Sequence, residues 1–250
     1  MACNEMNKKA VKVILTLWML LTVSSIALSQ SREREVRING EDGFKLRGVF
    51  YSAARPGPGV LLLHQCDREG MMTGYERLAT LLTRHGFQVL TLDFRGYGGS
   101  ISEGSTPGDR QRAQQLMQND VEAAYQFLIA QRGVAKDRVG VAGASCGGRQ
   151  AILLAERHAE VKALILLSSA FGAPIESAFQ KVIERPLFSV ASEEDVGAVR
   201  AMKWTFEQSK HKDSRIVIYK GRLHGTPLFT YDRNLEPTIA EWLRARLMSR

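Results

Sequence analysis

Cysteine is scarce in this chain: three in 250 residues, at positions 3, 66 and 146. That is too few for a disulfide scaffold or a four-thiolate zinc site. No HExxH and no paired CxxC occurs, so the short metal-binding signatures are missing. The loops GxGxxG and GxxxxGK[ST] are missing as well, and neither a metal nor a soluble cofactor is implied. Lysine and arginine never cluster with interleaved aromatics, and runs such as Arg32-Glu33-Arg34-Glu35 alternate in sign. Such a pattern describes a solvated face rather than a nucleic-acid surface. Internal repeats and low-complexity linkers are absent too, and one domain is the economical reading.

What is present is an ordinary globular composition, with 44% hydrophobic and 24% charged residues, enough for one large core. The first stretch differs. Lys8, Lys9 and Lys12 precede the apolar run Val13-Ile14-Leu15-Thr16-Leu17-Trp18-Met19-Leu20-Leu21, and small residues follow up to Ser29. This order of basic, apolar and small-residue regions is that of a secretory signal, with cleavage expected after Ala27-Leu28-Ser29. Residues 1–29 are therefore read as leader and 30–250 as the domain. The rival is an uncleaved anchor, since Val11 to Leu28 approaches the length of a span. Membrane association would follow only in that case; otherwise the protein is periplasmic or secreted. The leader's three lysines and one glutamate account for +2 of the formal +8 charge, leaving a diffuse +6.

After Glu35 to Ile38 and Phe44 to Tyr51, which read as a hairpin joined by Asn39-Gly40-Glu41-Asp42-Gly43, the pattern changes. Short apolar runs at 60–64, 88–94, 138–142, 163–168, 187–191 and 215–219 alternate with amphipathic stretches at 75–85, 114–130, 147–158, 195–208 and 235–248. Alternation of this kind implies an α/β fold with a mostly parallel sheet covered on both faces. Gly98 to Arg112, rich in glycine, serine and charge, is expected to be a flexible insert.

The sharpest local feature is Val139-Gly140-Val141-Ala142-Gly143-Ala144-Ser145-Cys146-Gly147-Gly148. An apolar strand ends in a small-residue turn with a serine at its apex, and a helical pattern follows. This is the nucleophile elbow GxSxG. Serine needs a base to take its proton and a carboxylate to orient that base, expected later in the chain in the order Ser, acid, His. Ser192-Glu193-Glu194-Asp195 follows one apolar strand and Lys220-Gly221-Arg222-Leu223-His224-Gly225-Thr226 the next. Asp195 is the expected acid, with Glu194 as fallback, and His224 the expected base.

His85, His158 and His211 sit at helix ends and read as surface or capping residues, while His64 reads as a hydrogen-bonding partner of loop backbone. Asp93 is expected to brace its own loop, and Asp120 and Glu122 to decorate a helix. Oxyanion donors are expected from the N–H of Cys146 and from the loop His64-Gln65-Cys66-Asp67, Cys66 being favoured over Gln65. Both cysteines would then flank one small pocket, and in an exported chain this coincidence suggests a Cys66–Cys146 disulfide. A register slipped by one would instead make Cys146 the nucleophile, with Ala144 and Gly148 as its small neighbours.

With these pieces in place, together with Leu92-Asp93-Phe94-Arg95-Gly96-Tyr97-Gly98-Gly99-Ser100, the chain resembles the α/β-hydrolase superfamily from Val36 to Met248. It is most similar to the dienelactone-hydrolase-like branch, which the resemblance implies has a small cap or none. Two departures stand out. Serine replaces the cysteine common at the nucleophile of that branch, and His64-Gln65 replaces its usual His-Gly pair. Only Ser169 to Pro186 separates two strands where larger caps are inserted, so an open cleft is expected, with Ala170, Phe171, Ala173, Pro174, Ile175 and Phe179 as candidate acyl-pocket residues. The resulting expectation is an exported serine hydrolase acting on a small-molecule ester, its oligomeric state open. An amidase or peptidase on the same triad and a silent binding protein are its rivals.

Overall fold

The computed structural model describes residues 32–66, 71–101 and 107–248. The leader and Asp67 lie outside the described residues. An antiparallel hairpin comes first, β1 (Arg32–Asn39) and β2 (Lys45–Ser52). Then follow β3 (Gly57–Leu63), a 3-10 turn at Met72–Tyr75, α1 (Glu76–Arg84), β4 (Gln88–Leu92), α2 (Pro107–Ala130) and β5 (Val134–Ala144). Next come α3 (Cys146–Arg157), β6 (Val161–Leu167), α4 (Ala173–Gln180), β7 (Leu187–Ser192), α5 (Val196–Gln208) and β8 (Arg215–Tyr219). The chain ends with α6 (Pro227–Tyr231) and α7 (Leu235–Leu247).

The eight strands form one sheet in the order β1-β2-β4-β3-β5-β6-β7-β8. Only the β1–β2 and β2–β4 pairings are antiparallel. Burial on both faces explains why β3 is apolar at nearly every position. Leu61 and Leu63 point into a core beneath α2, α3 and α5, where Val121, Tyr125, Ile152 and Met202 pack. Val60 and Leu62 point the other way, towards Leu78, Leu82, Ile239 and Leu243 of α1 and α7.

Two expectations need correction. Residues 107–112 are not a flexible insert but the first turns of α2, entered through Pro107, whose fixed φ and missing N–H suit a helix's first position. Asp120 does not decorate that helix: it is 1% exposed and takes both arms of the Arg95 guanidinium at 2.9 and 2.7 Å. A buried carboxylate needs a paired cation, and Arg95, in the loop just after β4 and 25 residues before Asp120 in sequence, supplies it. Glu122 does sit at the surface, bound to Arg157 and His158.

Candidate active site

Six parallel strands end at one edge of the sheet, where ligands of such folds bind. The first contribution there is the β5–α3 turn. Ser145 has φ 52° and ψ −114°, one of two non-glycine residues with positive φ among those described. This backbone is costly for a residue with a Cβ and persists because its surroundings impose it. A Cβ on Gly143 would strike the Gly147 carbonyl, and one on Gly147 would strike the carbonyls of Leu63 and His64. The glycines thus permit a strand, a turn and a helix to meet at van der Waals distance. The strained residue is Ser145, whereas Cys146 starts the helix and its sulphur is bonded to Cys66. The slipped register is thereby set aside.

The second contribution comes from the loops after β7 and β8. Glu193 N–H donates to Tyr219 O and Glu194 N–H to Gly221 O, zipping the two loops together. Asp195 then lies at the mouth of α5 with Oδ2 2.6 Å from His224 Nδ1. Glu194 turns outward, its side chain 58% exposed and facing Arg222 at 3.5 Å, so the fallback acid is elsewhere. Among the described residues, Ser145 Oγ makes no hydrogen bond, to His224 included. Catalytic contacts without substrate are commonly long and tighten on binding.

The third contribution is the loop after β3. His64 is fully buried; its Nε2 accepts from the Phe94 N–H at 2.9 Å and its Nδ1 lies 2.6 Å from Gln65 O. An Nε2 that accepts leaves the proton on Nδ1, so His64 is a neutral donor to Gln65 O, as expected of a backbone-bracing histidine. The Gln65 carbonyl and the Cys66 N–H belong to one planar trans peptide, so this grip turns the Cys66 N–H to the opposite side. Tyr97 Oη holds the next carbonyl, Cys66 O, at 2.8 Å. Neither the Cys66 nor the Cys146 N–H donates a hydrogen bond among the described residues. Asp93 braces the adjoining loop as expected, accepting from the N–H of Met72 and of Gly99.

Gln65 is the residue whose part sequence reasoning missed. Its side chain is buried, and its Oε1 accepts from Thr226 N–H at 2.9 Å and Thr226 Oγ at 3.1 Å. Gly225, at φ 68°, packs directly on that amide. The glutamine that displaces the usual glycine therefore anchors the histidine loop. Beside the disulfide opens a cavity of about 430 Å³ walled by Met117, Leu153, Phe171, Pro174 and Ile175, with Arg149 and Gln150 on its polar side. Ala170 and Ala173 do not line it, and Phe179 packs instead against Trp204 in the core. The single short helix α4 between β6 and β7 confirms the small cap.

Comparison with known proteins agrees with this architecture. Over 88% of the chain it superposes on the esterase Pf2001 of Pyrococcus furiosus, with TM-score 0.67, 19% identity and 94% of that chain covered. A dienelactone hydrolase from Anabaena variabilis gives TM-score 0.67 at 20% identity, covering 87% of this chain and 99% of that one. A thermostable carboxylesterase cloned from a metagenomic library, EstE1, gives 0.62 at 19% identity, covering 87% and 91%. An uncharacterized protein of Mycobacterium tuberculosis is 31% identical over 135 residues, which is 54% of this chain. The match spans 45% of that relative's length. The family model described as serine aminopeptidase, S33, matches residues 60–190, a segment that includes the elbow serine and stops short of Asp195 and His224. With more than half its length inside that model and an eight-stranded α/β-hydrolase sheet around it, the chain belongs to the S33 family of serine hydrolases.

Proposed function

We propose that the protein hydrolyses carboxylic esters of small molecules through Ser145, His224 and Asp195. The observation that carries the reading is the Asp195–His224 hydrogen bond of 2.6 Å at the same sheet edge as the strained elbow serine. In the proposed cycle His224 Nε2 takes the Ser145 proton as Oγ attacks the ester carbonyl, and then gives it to the leaving alcohol. Asp195 holds the proton on Nδ1 and offsets the positive charge of the imidazolium. The N–H groups of Cys66 and Cys146 stabilise the oxyanion. Water repeats the sequence on the acyl-enzyme. The proposed acyl site is the cavity walled by Met117, Leu153, Phe171 and Ile175 beside the disulfide, whose apolar walls and volume favour a short or medium chain. Reading residues 1–29 as a leader belongs to this proposal, and places the enzyme outside the cytoplasm; N-terminal sequencing of the exported protein, expected to start at Gln30, tests it.

Fluorophosphonate labelling with peptide mapping is the primary test, followed by turnover of p-nitrophenyl esters of rising acyl length. Label on Ser145 and turnover that falls beyond a certain chain length are expected. Ser145→Ala should lower turnover by roughly 10⁴-fold or more while the protein stays folded; a folded variant that keeps its activity would refute the assignment. The family description, serine aminopeptidase, favours one second reading: an amidase or peptidase on the same three residues, which aminoacyl p-nitroanilides would reveal.

A further inference from the structure

Cys66 and Cys146 are the two residues whose N–H groups would receive the oxyanion, and they are also the two ends of the disulfide, 80 positions apart in sequence with Cα atoms 5.8 Å apart. We infer that this disulfide is a positioning element of the reaction: it sets the spacing of the two oxyanion donors, so that the enzyme turns over in its oxidised form and is switched down by reduction. The inference rests on the esterase reading above.

The physical argument starts from what else holds the two donors. Cys146 is fixed by the elbow and by α3, and is 3% exposed. The Cys66 loop continues from β3, is gripped by hydrogen bonds through His64, Tyr97 and Gln65 and packs Cys66 on the core, while the disulfide is a covalent tie that runs directly from donor residue to donor residue. Reduction replaces a bonded pair of sulphurs with two thiols that must retreat to van der Waals contact, a separation larger by roughly 1.5 Å. The buried side of Cys146 has little slack, because even a Cβ on the adjoining Gly147 would strike the Leu63 and His64 carbonyls. The added separation falls on the Cys66 side, and on this inference its N–H shifts with it. Displacing a reacting or stabilising group by about 1 Å costs up to roughly a hundredfold in rate, comparable to removing an oxyanion donor.

Reductant has a route, since both cysteines line the open cavity and Cys66 is the more exposed of the two. A dithiol such as dithiothreitol attacks the Cys66 sulphur as thiolate, breaking the disulfide and releasing the Cys146 thiolate, which takes a proton. The second thiol of the reagent then closes on the mixed disulfide and releases the Cys66 thiol. Two electrons and two protons pass to the protein, and the reagent leaves as its cyclic disulfide. A hydrolase built this way is suited to an oxidising compartment.

The test compares the full chain before and after dithiothreitol, with iodoacetamide peptide mapping of Cys66 and Cys146, p-nitrophenyl acetate kinetics and a melting curve. The expected result is a kcat lowered ten- to a hundredfold in folded, reduced protein, with KM changed less than about threefold and with turnover restored on re-oxidation. If the bond resists reductant, the Cys66→Ser/Cys146→Ser double variant carries the same expectation. A purely stabilising crosslink would lower the melting temperature and leave kcat alone. Turnover within about twofold of the oxidised enzyme, in protein whose thiols are mapped as free, would overturn the inference. Oxidised protein that neither labels nor turns over would sink the esterase reading itself, and the inference with it.

Discussion

Single side chains decide how the three loops of the site meet. Gln65 joins the loop after β3 to the His224 loop through two bonds to Thr226, 161 residues away, and a glycine at that position offers no such anchor. Gln65→Ala is therefore expected to lower kcat about tenfold with a small effect on KM, because a loosened His224 loop misplaces the base. Gln65→Glu keeps an accepting oxygen but puts a charge in a buried place, and is expected to lose turnover and stability as well. Steady-state kinetics of the two variants, with Thr226→Val as a partial loss, checks the role; equal kcat in wild type and Gln65→Ala would exclude it. In the same way Asp195 is singled out from its acidic neighbours by direction alone, since Glu194 points to solvent and Asp195 to His224.

At the scale of elements, the strand β5, the Ser145 turn and the helix α3 act as one unit. The turn keeps its strained backbone because Gly143 and Gly147 let α3 sit against β5 and against the end of β3. A methyl group on Gly147 has nowhere to go but into main-chain carbonyls. Gly147→Ala is expected to destabilise the protein by about 3 kcal/mol and to abolish fluorophosphonate labelling in whatever fraction folds. Urea denaturation followed by tryptophan fluorescence measures the first, and gel-based labelling the second. The unit was legible from residues 139–148 because strand apolarity, turn glycines and helix periodicity are all local properties. The short helices α4 and α6 and the first turns of α2 were not, since each is brief or polar and carries little local helix signal of its own.

For the whole molecule, the Arg95 network joins parts of the fold that share no strand. Its guanidinium lies 4.1 Å from the Phe44 ring centroid, binds Asp42 in the hairpin turn at 2.6 and 2.9 Å, and reaches Asp120 in α2. Replacing Arg95 with alanine leaves the Asp120 carboxylate buried without its cation and is expected to cost about 3 kcal/mol. A chemical-denaturation midpoint would show it. The same guanidinium holds the Asp42 carboxyl down from its usual 3.8 to about 2. A carboxyl whose pKa is lower in the folded state adds stability above its unfolded value and loses that contribution as pH falls through the folded one. Melting temperature is accordingly expected to drop between about pH 4 and pH 2, and Asp42→Asn to flatten that drop. The carboxylate is partly exposed, so high salt should shrink the effect.

Strand and helix order, the elbow serine, and the downstream acid and histidine could all be read in one dimension, because periodicity, turn residues and chain order act between near neighbours. The branch-specific hint in His64-Gln65 was visible as an oddity, but its meaning needed the fold. The Cys66–Cys146 bond was expected from the sequence and is present, but the pairings of Gln65 with Thr226 and of Arg95 with Asp120, 161 and 25 residues apart, were not. Which partner a buried polar group finds depends on where the sheet carries each loop, and the cost of leaving such a group unpaired enforces the choice only after the chain has closed. Composition could name an acid, a base and two thiols; the parallel sheet, by ending its strands at one edge, decided that they would stand together.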